Sequence, residues 1–135
     1  MSDADNSPVQ ERLASLLVDE EDLVLAYVFG SVARDRAKFE SDIDIAVLGR
    51  QRLSAERRMT LIERIAAVTG RAVDLVDLRT AGVLVTREAL TRGRRRVCRD
   101  ERAYVDLLSR MVTDAEDFLP LRRRMLAQRR EAWLR

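Results

Sequence analysis

Two apolar segments separated by a short polar stretch constrain the fold of this chain most. Residues 23–29 are apolar throughout and are followed by Gly30-Ser31; after ten more residues, Asp42-Ile43-Asp44 opens a second apolar run that continues to residue 48. Apolar runs of this length, bounded by glycine, predict buried β-strands. Because residues two apart in a strand point to the same face, Asp42 and Asp44 are expected to present two carboxylates side by side.

This arrangement indicates a metal-assisted transfer of phosphoryl or nucleotidyl groups. Mg²⁺ is typically held by one or two carboxylates together with substrate phosphates, and the turn from a strand into a helix offers backbone N–H groups to phosphate. A lone Asp-x-Asp pair is common on the solvated flank of a strand. A solvated face does not explain why Asp44 is followed by Ile45-Ala46-Val47-Leu48.

A third carboxylate, Asp74, interrupts another apolar strand, which is predicted over residues 72–78. Three carboxylates on neighbouring strands repel one another strongly unless a cation lies between them. Asp77 is an alternative third carboxylate, but a separation of three residues places it on the opposite face of the strand from Asp74. We therefore prefer Asp74.

Composition restricts the chemistry further. The 135 residues include no histidine, which excludes histidine bases and the commoner zinc sites, and Lys38 is the only lysine. The length predicts one domain. The single cysteine, Cys98, fits a reducing cytoplasm, and no apolar run approaches the roughly 18 residues of a membrane span.

The net charge of +2 conceals an asymmetry along the chain. Residues 1–78 carry 10 Lys/Arg and 15 Asp/Glu, and residues 79–135 carry 15 and 8. The basic half includes a dense cluster of arginines that could meet phosphates or an acidic partner: Arg92, Arg94, Arg95, Arg96 and Arg99. The six aromatic residues are too few for a base-stacking surface, so we do not expect direct nucleic-acid binding.

Helical patterns alternate with the strands. Ser7 precedes Pro8 as an N-cap precedes a first-turn proline, Ser54 and Gly70 bound a second helix, and Thr80 is expected to cap a third. A basic strand is predicted over residues 95–99, then a helix from Asp100 to Pro120 and a last helix over 121–133. The fold class is therefore α/β (α+β): a small mixed sheet flanked by helices, in a single domain 1–135 with its core at about 23–99 and a helical appendage at about 100–135.

At this point the motif resembles that of the nucleotidyltransferase superfamily of DNA polymerase β, and within it the minimal nucleotidyltransferases. Their signature is Gly-Ser, ten residues, then Asp-x-Asp, with a later aspartate on another strand. This chain matches at Gly30, Ser31, Asp42 and Asp44, and the segment around Asp74 resembles the strand of the third aspartate. One departure is Asp35, where many relatives have glycine.

The resemblance implies a nucleotidyltransferase fold and a two-metal site. Asp42 and Asp44 would bind two Mg²⁺ ions, and Asp74 would bind one of them and help to activate the attacking hydroxyl. Gly30 and Ser31 would hold the triphosphate of ATP. Two ions about 3.5–4 Å apart stabilise the attacking and leaving oxygens of an in-line displacement.

From its length, we expect this chain to be too short to carry the extra domains with which larger relatives bind their acceptors. Minimal nucleotidyltransferases of this kind resemble the antitoxin half of toxin–antitoxin pairs whose toxins are HEPN ribonucleases. The resemblance thus implies a protein adenylyltransferase that transfers AMP from ATP to a tyrosine of such a toxin. Two alternatives stay open: an antitoxin that acts by binding alone, and an enzyme that modifies a small molecule such as an aminoglycoside. Trp133 and the basic last helix are candidates for a partner surface.

Overall fold

The computed structural model describes residues 2–30 and 42–113. In chain order the elements are helix α1 (Ser2–Asp19), strands β1 (Leu23–Phe29) and β2 (Ile43–Gly49), helix α2 (Ala55–Thr69), strand β3 (Val73–Asp77), helix α3 (Val83–Arg92) and strand β4 (Arg94–Cys98). Residues 101–113 are helical and are called α4 here. Each of the four predicted strands is present, with its ends within one residue of the predicted position.

The four strands form one mixed sheet in the order β3-β2-β1-β4. β1 is antiparallel to both β2 and β4, whereas β2 and β3 run parallel and are joined through α2. A parallel pair needs such a crossover connection, which α2 supplies. The predicted architecture, a small mixed sheet flanked by helices, is confirmed.

Each face of the sheet is covered by a separate hydrophobic cluster. The first face packs against α1 and α2 through Leu13, Leu17, Val28, Ile43, Ile45, Val47, Leu61, Ile65, Leu75 and Val97. The second face packs against α3 and α4 through Leu25, Tyr27, Phe29, Ala46, Leu48, Leu78, Ala89 and Leu107. The central strands are thus buried on both sides, which explains their nearly continuous apolar sequence. Among the described helices, none is long and apolar enough to cross a membrane.

Local signals set the ends of α2 as predicted. The Ser54 hydroxyl accepts a hydrogen bond from the Arg57 N–H at 3.0 Å and so caps the first turn. At the other end, Gly70 adopts φ 69° and its N–H bonds to the Ala66 carbonyl. This left-handed conformation favours glycine because a Cβ is disfavoured there.

Two other helix starts differ from their predictions. α1 begins at Ser2, so Ser7 is not its N-cap and Pro8 lies inside the helix, where it has no N–H to donate to the carbonyl four residues earlier. α3 begins at Val83 with Gly82 as its N-cap, not Thr80. The N–H groups of Thr80 and Ala81 both donate to the Asp77 carbonyl, which forms a turn and delays the helix.

An ion-pair network ties α2 to the turn before β1. Arg57 donates hydrogen bonds to Asp22 at 2.6 and 2.8 Å and to Glu20 at 2.7 Å, and Arg64 adds one to Glu20 at 2.6 Å. Burial alone would raise the pKa of the Glu20 carboxyl, but the hydrogen bonds and charges of the two arginines outweigh it and lower that pKa. The hydrogen bond from Arg57 is the main cause of the lowered pKa of Asp22.

Several sequence-based predictions fall outside the described residues. These are the short helix that the sequence predicts from Ser31 to about Ala37, the end of the helix at Pro120, the last basic helix and the partner surface around Trp133. They stay predictions.

We expect Arg57→Met to lower the free energy of unfolding by about 2–3 kcal/mol at pH 7, because it leaves a carboxylate that is only 7% exposed, Glu20, with one arginine fewer. Carboxyls whose pKa is lowered in the folded state stabilise it above their ordinary pKa and lose that effect as the pH falls. Urea denaturation should therefore show the difference from wild type shrinking below about pH 4.

The matched control is Arg87→Met, which removes an exposed arginine of α3. It should change stability by less than about 0.5 kcal/mol. Equal stability of the two variants at pH 7 would contradict a stabilising role for the network.

Candidate active site

Two of the predicted site residues lie side by side in the sheet. In the parallel register of β2 and β3, Asp44 is the partner of Asp74. Asp44 shares its strand face with Ala46 and Leu48, and Asp74 shares its face with Val76, so both carboxylates lie on the second face, at the end where β2 and β3 begin. On this face, the apolar side chains of β2 and β3 therefore end just before the two aspartates.

The electrostatics of Asp44 reflect this neighbourhood. Its carboxyl has a raised pKa, first because it is partly buried and then because of the negative charges of Asp74 and Asp42. A hydrogen bond between the Asp44 and Asp74 carboxyl groups and the charge of Glu88 raise this pKa further. The group is therefore a carboxylate whose charged form is disfavoured in the metal-free protein, and a cation would relieve that cost.

Asp42 is exposed and immediately precedes β2, whereas Asp44 is partly buried within the strand. The negative charge of Asp42 contributes to the raised pKa of Asp44. Within residues 2–30 and 42–113, no group of three or more His, Cys, Asp or Glu side chains is arranged to hold a metal ion. The structure therefore brings Asp44 and Asp74 together and places Asp42 beside them without assembling a finished three-carboxylate cage.

Gly30 is adapted to this site in two ways. It follows the last residue of β1, Phe29, which is the partner of Asp44, and its backbone has φ 75°. A Cβ at this position would overlap the Asp44 Oδ2 atom and lie 3.1 Å from its Cγ. Glycine thus leaves room for the Asp44 carboxylate. Ser31, the other predicted phosphate-binding residue, lies outside the described residues.

Asp77, the alternative third carboxylate, has a different environment. It is 6% exposed, and its carboxylate accepts hydrogen bonds from the backbone N–H groups of Leu53 at 3.1 Å and Arg79 at 2.9 Å. Leu53 packs against the first hydrophobic cluster, so Asp77 lies on the face away from Asp44. Asp77 therefore serves the connection between β2 and α2.

One acidic residue near the site was not singled out from the sequence. Glu88 belongs to α3, more than forty residues from Asp44 in the chain, yet its charge contributes to the raised pKa of Asp44. Nothing in the local sequence distinguishes it from an ordinary surface glutamate. Only the packing of α3 on the sheet brings it near.

The arginines of β4 make contacts within the protein. Arg94 and Arg96 donate hydrogen bonds to the Gln10 side chain at 3.4 and 2.6 Å. The Arg95 guanidinium lies 5.5 Å from the ring centroid of Tyr104, within the range of a cation–π interaction. These contacts join β4 to α1 and α4.

A groove of about 550 Å³ lies at the far end of the sheet from the carboxylates, lined by Leu48, Arg79, Ala103, Asp106, Leu107, Ser109 and Arg110. It is formed between the end of β2 and α4. It contains none of the predicted site residues.

The chain belongs to the family described as polymerase beta, nucleotidyltransferase, which matches residues 11–102. This range includes Gly30, Asp42, Asp44 and Asp74. The motif and the fold thus lead to the same class of protein.

Among its relatives is the protein adenylyltransferase MntA of Shewanella oneidensis, which is 36% identical over 86 residues, or 63% of this chain. The match spans 62% of that relative's length. The structure is similar to that of a toxin–antitoxin with AMP-PNP, with a TM-score of 0.73 and 27% identity over 88% of this chain and 96% of the other. It is also similar to the toxin–antitoxin MntA–HepT, with a TM-score of 0.67 and 26% identity over 89% and 95% of the two chains.

We expect Gly30→Ala to destabilise the metal-free protein through both its positive φ and its overlap with Asp44. Gly70→Ala separates the two effects, because Gly70 has φ 69° but no atom within 4 Å of an added Cβ. Gly70→Ala should cost about 1 kcal/mol, and Gly30→Ala should cost at least about 1 kcal/mol more.

In an Asp44→Ala background the additional cost of Gly30→Ala should disappear, since the overlapping carboxylate is gone. Urea denaturation of the four proteins in this cycle measures the coupling. Additive costs would show that Gly30 and Asp44 do not constrain one another.

Proposed function

We propose that this protein is a Mg²⁺-dependent adenylyltransferase that transfers AMP from ATP to a tyrosine of a HEPN ribonuclease toxin in the cytoplasm and so acts as its antitoxin. The observation that carries the chemistry is the parallel pairing of Asp44 with Asp74 beside Gly30, with the pKa of Asp44 raised by burial and like charge. Membership of the nucleotidyltransferase family supports the same reaction class.

The donor set of the site fits magnesium. Carboxylate oxygens are the hard ligands that Mg²⁺ prefers, and the ion ordinarily keeps further positions for water and substrate phosphates. Asp42, Asp44 and Asp74 would hold two such ions, and Asp74 would bind one of them and help to activate the attacking hydroxyl. When bound, the ions would neutralise the charge that develops on the phosphate oxygens.

In the proposed transfer, the tyrosine oxygen attacks the α-phosphorus of ATP. A new oxygen–phosphorus bond forms, the bond from that phosphorus to the oxygen bridging to the β-phosphate breaks, and pyrophosphate leaves with the electron pair. The tyrosine proton passes to a nearby base or to water, and the charge of Asp74 favours its departure. Backbone N–H groups at Gly30 and Ser31 would hold the triphosphate, whose β- and γ-phosphates depart as pyrophosphate.

Similarity to known proteins supports a protein acceptor. The relative from Shewanella oneidensis is a protein adenylyltransferase, and one structural neighbour is a toxin–antitoxin with AMP-PNP, an ATP analogue. Adding phosphate charge and bulk beside an RNA-binding site of the toxin would block RNA by repulsion and steric hindrance. Transfer of AMP to the toxin would therefore neutralise the toxin.

The test is to incubate the protein with ATP, Mg²⁺ and the product of its neighbouring gene, and then to weigh that product by mass spectrometry. We expect a gain of one or more AMP units. Asp44→Asn and Asp74→Asn should each reduce the gain to background, because each removes a charge that the cations require.

Asp19→Asn is the matched control, since it removes an exposed carboxylate at the end of α1 and should leave the transfer unchanged. No mass gain with the wild-type protein would overturn the proposal. If Asp42→Asn with Asp44→Asn still protected cells from the toxin, neutralisation by binding alone would be the better explanation. A nucleotidylated aminoglycoside in place of a modified protein would favour a small-molecule acceptor.

A further inference from the structure

Helix α3 ends at the edge of the sheet that carries the candidate site. β1 ends at this edge, and β2, β3 and β4 begin there. A Cβ on Gly93, directly after the helix, would lie 3.2 Å from both the Phe29 Cβ and the Val28 carbonyl oxygen. Because Phe29 precedes Gly30 and is the strand partner of Asp44, the last turn of α3 lies close to the site.

The two flanks of α3 face different parts of the protein. The helix packs over β1 and also contacts β2 and β4. One flank lines a small cavity together with α4, whose lining includes Val83, Thr86, Leu107 and Met111. α4 contacts β4 through Tyr104 and Arg95, so this flank lies on the β4 side. Arg92 follows Val83 by about two and a half helical turns and therefore lies on the opposite flank, towards β2 and β3.

The Arg92 side chain extends into solvent from that flank. It is 63% exposed, and within the described residues its guanidinium pairs with the Glu88 carboxylate at 4.0 Å. An exposed ion pair of this length holds the side chain only weakly. The arginines that follow are bound more closely, since Arg94 and Arg96 donate hydrogen bonds to Gln10 of α1. In the described part of the chain, Arg92 is thus a cation at this edge that no other element holds in place.

We propose that Arg92 binds the triphosphate of the nucleotide. This inference rests on the proposed function. A guanidinium is planar and donates two parallel hydrogen bonds to phosphate oxygens, which a long and exposed side chain can bring to a ligand. The end of α3 lies beside Gly30, whose backbone N–H is proposed to hold the same triphosphate.

The charges of the site support this role. Asp42, Asp44 and Asp74 are three carboxylates, and two divalent cations between them offset only part of the triphosphate charge. The carbonyl groups in the last turn of a helix add partial negative charge at its end. A further cation is therefore needed where phosphate approaches α3, and Arg92 is the basic residue of that last turn.

Three variants test the role of Arg92. Arg92→Gln removes the charge and retains a side chain that is compatible with a helix, whereas Arg92→Lys retains the charge but not the paired hydrogen bonds. The matched control is Arg87→Gln, which removes another exposed arginine of α3. The readouts are the affinity for AMP-PNP with Mg²⁺, measured by calorimetry, and the Tm of each nucleotide-free protein.

We expect Arg92→Gln to weaken AMP-PNP binding about tenfold, because hydrogen bonds between charged groups are lost. Arg92→Lys should lose less affinity, since it still offers a positive charge to the phosphates. Arg87→Gln should bind as wild type does, and all three variants should keep the wild-type Tm.

Equal AMP-PNP affinity in Arg92→Gln and wild type would overturn the inference and leave the proposed function intact. Equal losses in Arg92→Lys and Arg92→Gln would also overturn it, because a phosphate contact depends on the charge. A lower Tm in Arg92→Gln that accompanies its weaker binding would assign Arg92 a structural role instead. If the wild-type protein did not bind AMP-PNP with Mg²⁺, both the proposed function and this inference would fail.

Discussion

The repulsion between Asp44 and Asp74 is the constraint on which the rest of this site depends. The two residues are partners in the parallel register of β2 and β3, and the pKa of Asp44 is raised by burial and by its acidic neighbours. The fold maintains this unfavourable contact because the core fixes the register. Along β2, Ile43, Ile45 and Val47 are fully buried on the opposite face. A slip of one residue would turn these side chains to the second face and place Asp44 in the apolar cluster of the first face, so the packing of β2 holds the carboxylates in place.

Much of this arrangement could be predicted from the sequence because strand periodicity acts locally. The apolar runs identify the strands. The two-residue period places Asp44 and Ile45 on opposite faces of the sheet, and it likewise assigns Asp74 and Asp77 to different faces. Asp77 indeed accepts backbone hydrogen bonds on the face away from Asp44. Local capping residues were also sufficient to predict both ends of α2, at Ser54 and Gly70.

Features that arise from tertiary packing could not be predicted in this way. Thr80 looks like a helix cap, but the turn around the Asp77 carbonyl takes its N–H and α3 starts later. Glu88 reaches the site only because Ala89 anchors α3 on the second face. The arginines of β4 resemble a phosphate-binding cluster in the sequence, yet Arg94 and Arg96 bond to Gln10 of α1. Propensity and spacing contain no information about such long-range partners.

Two groups of acidic residues in the described part of the chain differ in how their charges are balanced. Glu20 and Asp22 form ion pairs with Arg57, and Glu20 also pairs with Arg64. These arginines lower the pKa values of the two carboxyls, so the charged carboxylates stabilise the fold. Among the described residues neither Asp44 nor Asp74 forms an ion pair with an arginine. A buried carboxylate whose pKa is raised by like charges lowers the stability of the folded protein at neutral pH. Any cation that binds the folded protein alone recovers that stability through mass action. A cation bound at Asp44 and Asp74 would therefore couple ligand binding to folding, whereas the charges of Glu20 and Asp22 are already balanced by arginines.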